Sequence, residues 1–138
     1  MGIKNASIMP VLAVDDIDRA TAFYRDKLGC EVQRLDDDPS GGVVVHVGEH
    51  GRLFLYKTTF RRGENTVASL VVDDVEGTVG ELRGRGVMFE EYDLPGLKTE
   101  QGIATYGEAN MKAAWFKDSE GNTISVNPDL ELALRKAT

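Results

Sequence analysis

The sequence predicts an α+β fold built from two tandem βαβββ modules, and three of its features support that prediction. Residues 10–29 (PVLAVDDIDRATAFYRDKLG) run from an apolar strand through two aspartates into a helix that stops at a glycine. Residues 68–86 (ASLVVDDVEGTVGELRGRG) repeat this pattern 58 positions later. A polar DSEG turn at residues 118–121 separates two apolar stretches and predicts a closing hairpin. Such self-similarity indicates two copies of one module, residues 1–60 and 61–138, within a single domain.

Each element of the first module follows from a local pattern. Residues 6–14 form an apolar strand, and Pro10, which lacks an N–H, favours a position at a sheet edge. Apolar side chains at helical spacing predict a helix over residues 17–28, which the preceding aspartates cap and Gly29 ends. Apolar and β-branched runs predict three further strands at residues 30–35, 43–47 and 53–58.

The second module repeats this order with weaker signals. A strand at residues 67–72 precedes a helix over residues 75–85, although three glycines within that helix each cost about 1 kcal/mol relative to alanine. Residues 87–92 are predicted to form a strand, and residues 93–108 a long irregular loop. The module closes with hairpin strands at 111–117 and 122–127 and a short helix at 130–136.

The composition narrows the range of partners. A net charge of −7 and the lack of a long basic run argue against a nucleic acid or an anionic membrane surface. The single cysteine, Cys30, excludes an intrachain disulfide and a thiolate metal cluster, so it is interpreted as a structural thiol. The first residues lack a long apolar run, which predicts no signal peptide, no membrane span and a cytoplasmic location.

Three stretches of the sequence resemble the vicinal oxygen chelate superfamily, which includes glyoxalase I, bleomycin-resistance proteins, fosfomycin-resistance enzymes and extradiol dioxygenases. They are VDDIDRATAFYRDKLG at residues 14–29, VDDVEGTVGELRGRGV at residues 72–87 and FKDSEGNTISV at residues 116–126. The resemblance covers nearly the whole chain. It implies eight strands curled into one mixed sheet, a cup with its helices on the outside. It also implies a homodimer and a metal or ligand on the concave face.

The positions that match this family's metal ligands carry no suitable donors. The resemblance places them at Met9, Phe54, Val67 and Ser125, where metal-dependent members use His or Gln, Glu, His and Glu. A thioether, a phenyl ring, an isopropyl group and a hydroxyl do not make a divalent metal site. We therefore expect no metal ligand set and no other cofactor.

Alternation along the strands instead predicts a mostly apolar ligand-binding face on the inside of the cup. Tyr106 and Trp115 can stack on a planar ligand, and a core or dimer-interface position is the alternative for Trp115. The candidate ligand-binding residues are Met9, Val11, Phe54, Tyr56, Val67, Ser69, Tyr106, Trp115 and Ser125. The alternative is that Met9 and Phe54 fill the cup as core side chains and leave no cavity.

The leading functional hypothesis is a metal-independent protein, similar to bleomycin-resistance proteins, that binds a small apolar or aromatic molecule and sequesters an antibiotic or metabolite. The alternative is a cofactor-independent lyase or isomerase, for which His46 in a strand and Glu90 in an acidic cluster are the candidate catalytic residues. The simpler interpretation of both side chains is a structural or solvated role. A metal-dependent glyoxalase is the least favoured reading, because it requires all four ligand positions to be rebuilt.

Overall fold

The structure, a computed structural model, contains two β-sheets and few helices. It describes residues 3–5, 8–36, 41–107 and 110–129. Contacts within the chain divide it into two units, Met1–Arg62 and Gly63–Thr138, and each unit has its own sheet.

The first unit is a four-stranded mixed sheet with one helix packed against it. Its elements are a 3-10 turn at Ile3–Asn5, β1 at Val11–Val14, α1 at Ile17–Ala22, β2 at Glu31–Arg34, β3 at Val43–Val47 and β4 at Gly51–Lys57. The strand order is β1-β4-β3-β2, with β1 parallel to β4 and the other pairs antiparallel. β1 therefore lies at a sheet edge, as Pro10 predicts.

α1 begins at the first pair of aspartates. The side chain of Asp16 accepts a hydrogen bond from the backbone N–H of Arg19 at 3.0 Å, so the second aspartate of the pair is the N-cap. The helix continues as a π-helical turn over Phe23–Lys27, and Gly29 follows it with a φ of 73°. The helix predicted for residues 17–28 is confirmed, with a wider last turn that side-chain spacing does not reveal.

Alternation along the strands gives the first sheet a core face and a helix-free face, the latter defined as the face opposite α1. The helix buries Ala20, Phe23 and Tyr24 against the core face. The buried strand residues are Leu12, Val14, Val43, Val45, Leu53 and Leu55. Burial of each such large apolar side chain stabilises the fold by roughly 1.5–3 kcal/mol relative to exposure.

The second unit is a six-stranded mixed sheet, also with one helix. Its elements are β5 at Thr66–Val71, α2 at Val75–Gly84, β6 at Asp93–Leu94, β7 at Leu97–Glu100, β8 at Ile103–Tyr106, β9 at Met111–Lys117 and β10 at Thr123–Asn127. The order is β5-β10-β9-β8-β7-β6, with β5 parallel to β10 and the other pairs antiparallel. α2 packs on β9 and β10, and the helix-free face of this sheet lies opposite α2.

α2 forms despite its glycines because its cap and its apolar face are intact. Asp74 accepts a hydrogen bond from the backbone N–H of Gly77 at 3.0 Å. A Cβ at Gly77 would collide with the capping carboxylate, so this close cap favours glycine there. The residues that the helix buries are Val75, Val79 and Leu82. The helix predicted at this point of the second module is confirmed.

The prediction for residues 87–108 was wrong over the part that the structure describes, residues 87–107. The strand predicted at residues 87–92 is reduced to a single bridge between Phe89 and Phe116. The stretch predicted as an irregular loop contains β6, β7 and β8. These strands are two to four residues long, and they form because each pairs with a neighbour in a ladder that ends on β9.

The α+β class is confirmed, with mixed sheets of four and six strands. The second sheet has six strands and not the four of one βαβββ module, because β6 to β8 are present and the strand predicted at residues 87–92 is reduced to a bridge. The terminal helix predicted at residues 130–136 lies outside the described residues. Among the helices that are described, none combines the length and the apolar character needed to cross a membrane.

Candidate functional site

The helix-free face of the first sheet carries one group of predicted ligand-binding residues. β1 and β4 pair with Val11 opposite Phe54 and Ala13 opposite Tyr56. The rings of Phe54 and Tyr56 are stacked, with centroids 6.3 Å apart and an interplanar angle of 3°. Val11 is 56% exposed and Met9 is 42% exposed, so neither side chain belongs to the core.

His46, a candidate catalytic residue, lies half-buried in β3. Its Nε2 is 3.2 Å from the side-chain oxygen of Gln33 on the neighbouring strand β2. The contact gives the ring a structural partner, and a catalytic role for His46 stays a prediction.

The helix-free face of the second sheet brings three predicted residues together. β10 lies between β5 and β9, with Ser69 paired to Ser125 and Ser125 paired to Trp115. The hydroxyl oxygens of the two serines are 2.6 Å apart. Ser125 is 5% exposed, whereas Ser69 is exposed and Trp115 half-buried. Residues far apart in sequence therefore form one continuous patch.

A chain of hydrogen bonds extends this patch along β10. Ser125 Oγ donates to Asn127 Oδ1 at 2.8 Å, and Asn127 Nδ2 donates to the carbonyl of Pro128 at 2.9 Å. Asn127 is also only 5% exposed, so the chain satisfies buried polar groups that are costly without partners. Asn127 was not among the predicted ligand-binding residues, although its spacing of two from Ser125 indicated the same face.

Tyr92 forms an aromatic pair with Trp115 next to these hydrogen bonds. The ring centroids are 5.6 Å apart and the planes meet at 84°. The backbone N–H of Glu90 donates to the carbonyl of Trp115 at 2.7 Å, and this hydrogen bond holds residues 90–92 against β9. Burial, followed by the carboxylates of Glu90 and Glu64, raises the pKa of Tyr92. The phenol thus stays protonated and able to donate. Tyr92 was not a predicted site residue, and its spacing of two from the candidate Glu90 was the sequence feature that could have identified it.

Two other predicted residues lie farther along this sheet. Val67 is 38% exposed and sits two residues before Ser69 on β5, beside a register shift between β5 and β10. Tyr106 pairs through its backbone with Met111 at the end of β8, so β9 separates its strand from β10. Val67 therefore borders the serine pair, and Tyr106 does not lie on a strand adjacent to it.

The side chains at the family's metal-ligand positions do not fit a metal ion. Met9 and Phe54 supply a thioether and a phenyl ring, and Val67 an isopropyl group. The fourth position, Ser125, is a hydroxyl already engaged in two hydrogen bonds. Within the described ranges, no three His, Cys, Asp or Glu side chains are grouped to hold a metal ion.

Two open depressions lie away from the predicted residues. The larger, about 570 Å³, lies beside α2, where Lys112 Nζ is 3.5 Å from Glu76 and 3.0 Å from Thr105 Oγ1. The smaller, about 460 Å³, lies at the start of α1 around Asp16 and Arg34. Their volumes are within the range of ligand pockets, but their linings are mostly charged and solvated. The candidate residues lie instead on the helix-free face of each sheet, where Phe54 stacks on Tyr56 in the first unit and Ser125 pairs with Trp115 in the second.

One protein-family model matches part of the first unit. A family model described as bleomycin resistance protein-like N-terminal matches residues 7–48, which include β1, α1, β2 and β3. No curated protein sequence matches the chain significantly.

Solved structures resemble the chain over most of its length. UcmS2 has 23% sequence identity and a TM-score of 0.71, with 91% of this chain and 99% of that chain covered. A member of the glyoxalase/bleomycin resistance protein/dioxygenase superfamily from Sphaerobacter thermophilus has 22% identity and a TM-score of 0.66, covering 90% and 98% of the two chains. The fosfomycin resistance protein FosX from Listeria monocytogenes, solved with Mn(II), has 17% identity and a TM-score of 0.63, covering 99% of each.

These matches agree with the resemblance carried by the repeated aspartate-helix pattern and the closing hairpin. At such identities the structural likeness concerns the fold. The resemblance is confirmed: the chain has the fold of the glyoxalase/bleomycin resistance protein/dioxygenase superfamily, and residues 7–48 carry a bleomycin resistance protein-like N-terminal pattern.

Proposed function

We propose that this protein binds a hydrophobic or aromatic small molecule on the helix-free face of either sheet, without a metal ion, and thereby sequesters it. One observation carries the proposal: the hydrogen-bond chain of Ser69, Ser125 and Asn127 lies beside the Tyr92–Trp115 pair on one face. Aromatic walls with a small number of oriented polar groups are typical of small-molecule sites. Binding of this kind requires no catalytic residue.

The first sheet supports the same proposal with an apolar surface. Phe54 and Tyr56 stack on its helix-free face, and Val11 beside them is largely exposed. Contact with a hydrophobic ligand would remove this surface from water, which is the main driving force for binding apolar molecules.

We also propose that two copies associate, and that the strands curl into the cup implied by the resemblance. β1 and β5 are edge strands of their sheets, and each exposes apolar side chains, Val11 at 56% and Val71 at 61%. Proteins commonly protect such edges by pairing or covering them, and a second copy supplies that protection. A reducing cytoplasm suits the single Cys30, and the net charge of −7 disfavours nucleic acid as a partner.

A titration of ¹⁵N-labelled protein with indole, followed by two-dimensional NMR, tests the binding proposal. We expect saturable shifts of the backbone amides of Ser69, Tyr92, Trp115 and Ser125, with a Kd on the order of 1 mM for so small a ligand. Lys112→Ala, in the depression beside α2, is the control variant and should bind indole unchanged. Shifts confined to that depression, or no saturable shift with indole, benzofuran or naphthalene, would contradict the proposal.

A cofactor-independent lyase or isomerase is the second candidate. Glu90 and Tyr92 are its candidate acid–base residues, because they lie two residues apart on a segment that contacts Trp115. This candidate differs from the first because the bound molecule must be converted. The same NMR titration would reveal conversion as new ligand signals that grow with time.

The purified protein should contain less than about 0.1 divalent metal ion per chain, because its donor set does not suit one. Elemental analysis after purification without chelators measures the content. Addition of EDTA should leave the thermal midpoint within about 1 °C, since removal of a bound stabilising ion would lower it. A stoichiometric metal together with an EDTA-sensitive midpoint would contradict the metal-free part of the proposal.

A further inference from the structure

The hydrogen bonds of Ser69, Ser125 and Asn127 on the second sheet all donate in the same direction. The contacts of the buried Asn127 amide determine that direction. Position 128 is a proline, and its carbonyl accepts the Asn127 Nδ2–H at 2.9 Å. The reverse amide orientation would place Asn127 Oδ1 against that carbonyl, two acceptors without a proton between them. The amide oxygen of Asn127 therefore faces Ser125.

The orientation of the Asn127 amide fixes which serine donates and which accepts. Asn127 Oδ1 can only accept, so the single hydroxyl proton of Ser125 is donated to it at 2.8 Å. The Ser125 oxygen then accepts from Ser69, whose hydroxyl oxygen is 2.6 Å away. Ser125 and Asn127 are each 5% exposed, so water has little access with which to reorient them.

Ser69 is the exposed end of this series of hydrogen bonds. Its own proton is used in the bond to Ser125, and its remaining lone pairs are on an exposed side chain. An isolated surface serine rotates to donate or accept, whereas this serine is held as an acceptor. Linked hydroxyl groups also polarise one another, which strengthens the acceptor at the end of the chain.

We propose that Ser69 selects ligands that present an N–H or O–H donor at the edge of an aromatic ring. This inference rests on the proposed function and specifies its ligand class. The register that pairs Ser125 with both Ser69 and Trp115 leaves only β10 between the strand of the acceptor and the strand of the half-buried indole, which contacts Tyr92. A planar molecule packed on these rings would direct its edge toward Ser69.

Two nearly isosteric probes test this selection. Indole carries an N–H donor, and benzofuran has an oxygen acceptor in its place. The protein should bind indole about fivefold more tightly than benzofuran, the worth of one neutral hydrogen bond. In Ser69→Ala the ratio should fall to about one, whereas Thr66→Ala, an exposed substitution on the same strand, should keep it.

The outcomes separate this inference from the function on which it rests. Equal binding of both probes, or tighter binding of benzofuran, would overturn the donor selection and leave small-molecule binding intact. Failure of both probes to bind would overturn both. Neutron diffraction of deuterated protein provides a ligand-independent measurement: a Ser69 deuteron directed at Ser125 is expected, and one directed at solvent would overturn the assignment.

Discussion

Replacing Asp118 by alanine should lower the free energy of unfolding by about 3 kcal/mol. Asp118 is 5% exposed in the turn between β9 and β10. Its carboxylate accepts hydrogen bonds from the backbone N–H groups of Glu120 and Asn122 at 2.9 and 2.8 Å, and from Asn122 Nδ2 at 3.1 Å. Hydrogen bonds to a charged group contribute about 1.5–3 kcal/mol each, and alanine leaves these buried donors without that acceptor.

Urea unfolding followed by circular dichroism measures this loss, with the m-value as a check that the unfolded surface is unchanged. Asp118→Asn should lose less, about 1–2 kcal/mol, because one amide oxygen still accepts. The control Asp73→Ala removes an exposed aspartate of the same unit and should change stability by less than about 0.5 kcal/mol. A loss below about 1 kcal/mol for Asp118→Ala would contradict the role assigned to this carboxylate.

The position of this turn could be predicted, but not its internal hydrogen bonds. Polar residues and a glycine between two apolar stretches indicate a hairpin at residues 118–121, and Gly121 does donate to the Asp118 carbonyl at 3.2 Å. Which carboxylate becomes the acceptor for the turn depends on the packing around it. The helix starts are similar: two aspartates predict each cap, and the structure shows that Asp16 and Asp74 perform it.

β6 to β8 could not be predicted because their stability comes from neighbours distant in sequence. Lys98 and Glu100 are exposed on β7, and between them Thr99 is 8% exposed. Thr99 Oγ1 accepts from the backbone N–H of Tyr92 at 2.8 Å and donates to Glu91 at 3.0 Å. A buried threonine between two charged residues shows no apolar alternation, so its burial follows from pairing and not from pattern.

The face on which several candidate residues lie could be predicted from the sequence, but the contacts between their side chains could not. Counting in twos assigns Ser69 and Ser125 to the inner face, and the structure shows that β5 and β10 pair them. Pairing with β9 adds Trp115, but the edge-on contact with Tyr92 and the orientation of the Asn127 amide depend on coordinates. Burial of Met9 as a core residue does not occur, since its side chain is 42% exposed.

Phe116→Ala should lower the free energy of unfolding by about 4 kcal/mol, the larger of the two main stability effects. Phe116 is completely buried on the α2 side of β9, and it packs edge-on against Phe89 with centroids 5.6 Å apart. Its removal leaves a cavity that the surrounding sheet and helix cannot fully close. Phe116→Leu should lose about 1–1.5 kcal/mol, because it keeps most of the volume.

Trp115, the residue next to Phe116, should show the opposite balance between stability and binding. Its side chain is half-buried on the helix-free face, so Trp115→Ala should cost about 2 kcal/mol or less in stability. It should weaken indole binding about tenfold, because the aromatic wall of the proposed site is lost. Phe116→Leu should remain within about twofold of the wild-type affinity, since its side chain lies on the other face.

Urea unfolding of Trp115→Ala and Phe116→Leu measures their stability, and NMR titration of the same two variants measures their affinity for indole. Alternation along one strand requires that neighbouring side chains serve different faces, so a loss of indole binding limited to Trp115→Ala supports the proposed site. An equal loss of affinity in Phe116→Leu would mean that binding depends on the stability of the sheet as a whole. Unchanged affinity in Trp115→Ala would place the ligand away from the helix-free face, whatever the stability of the variant.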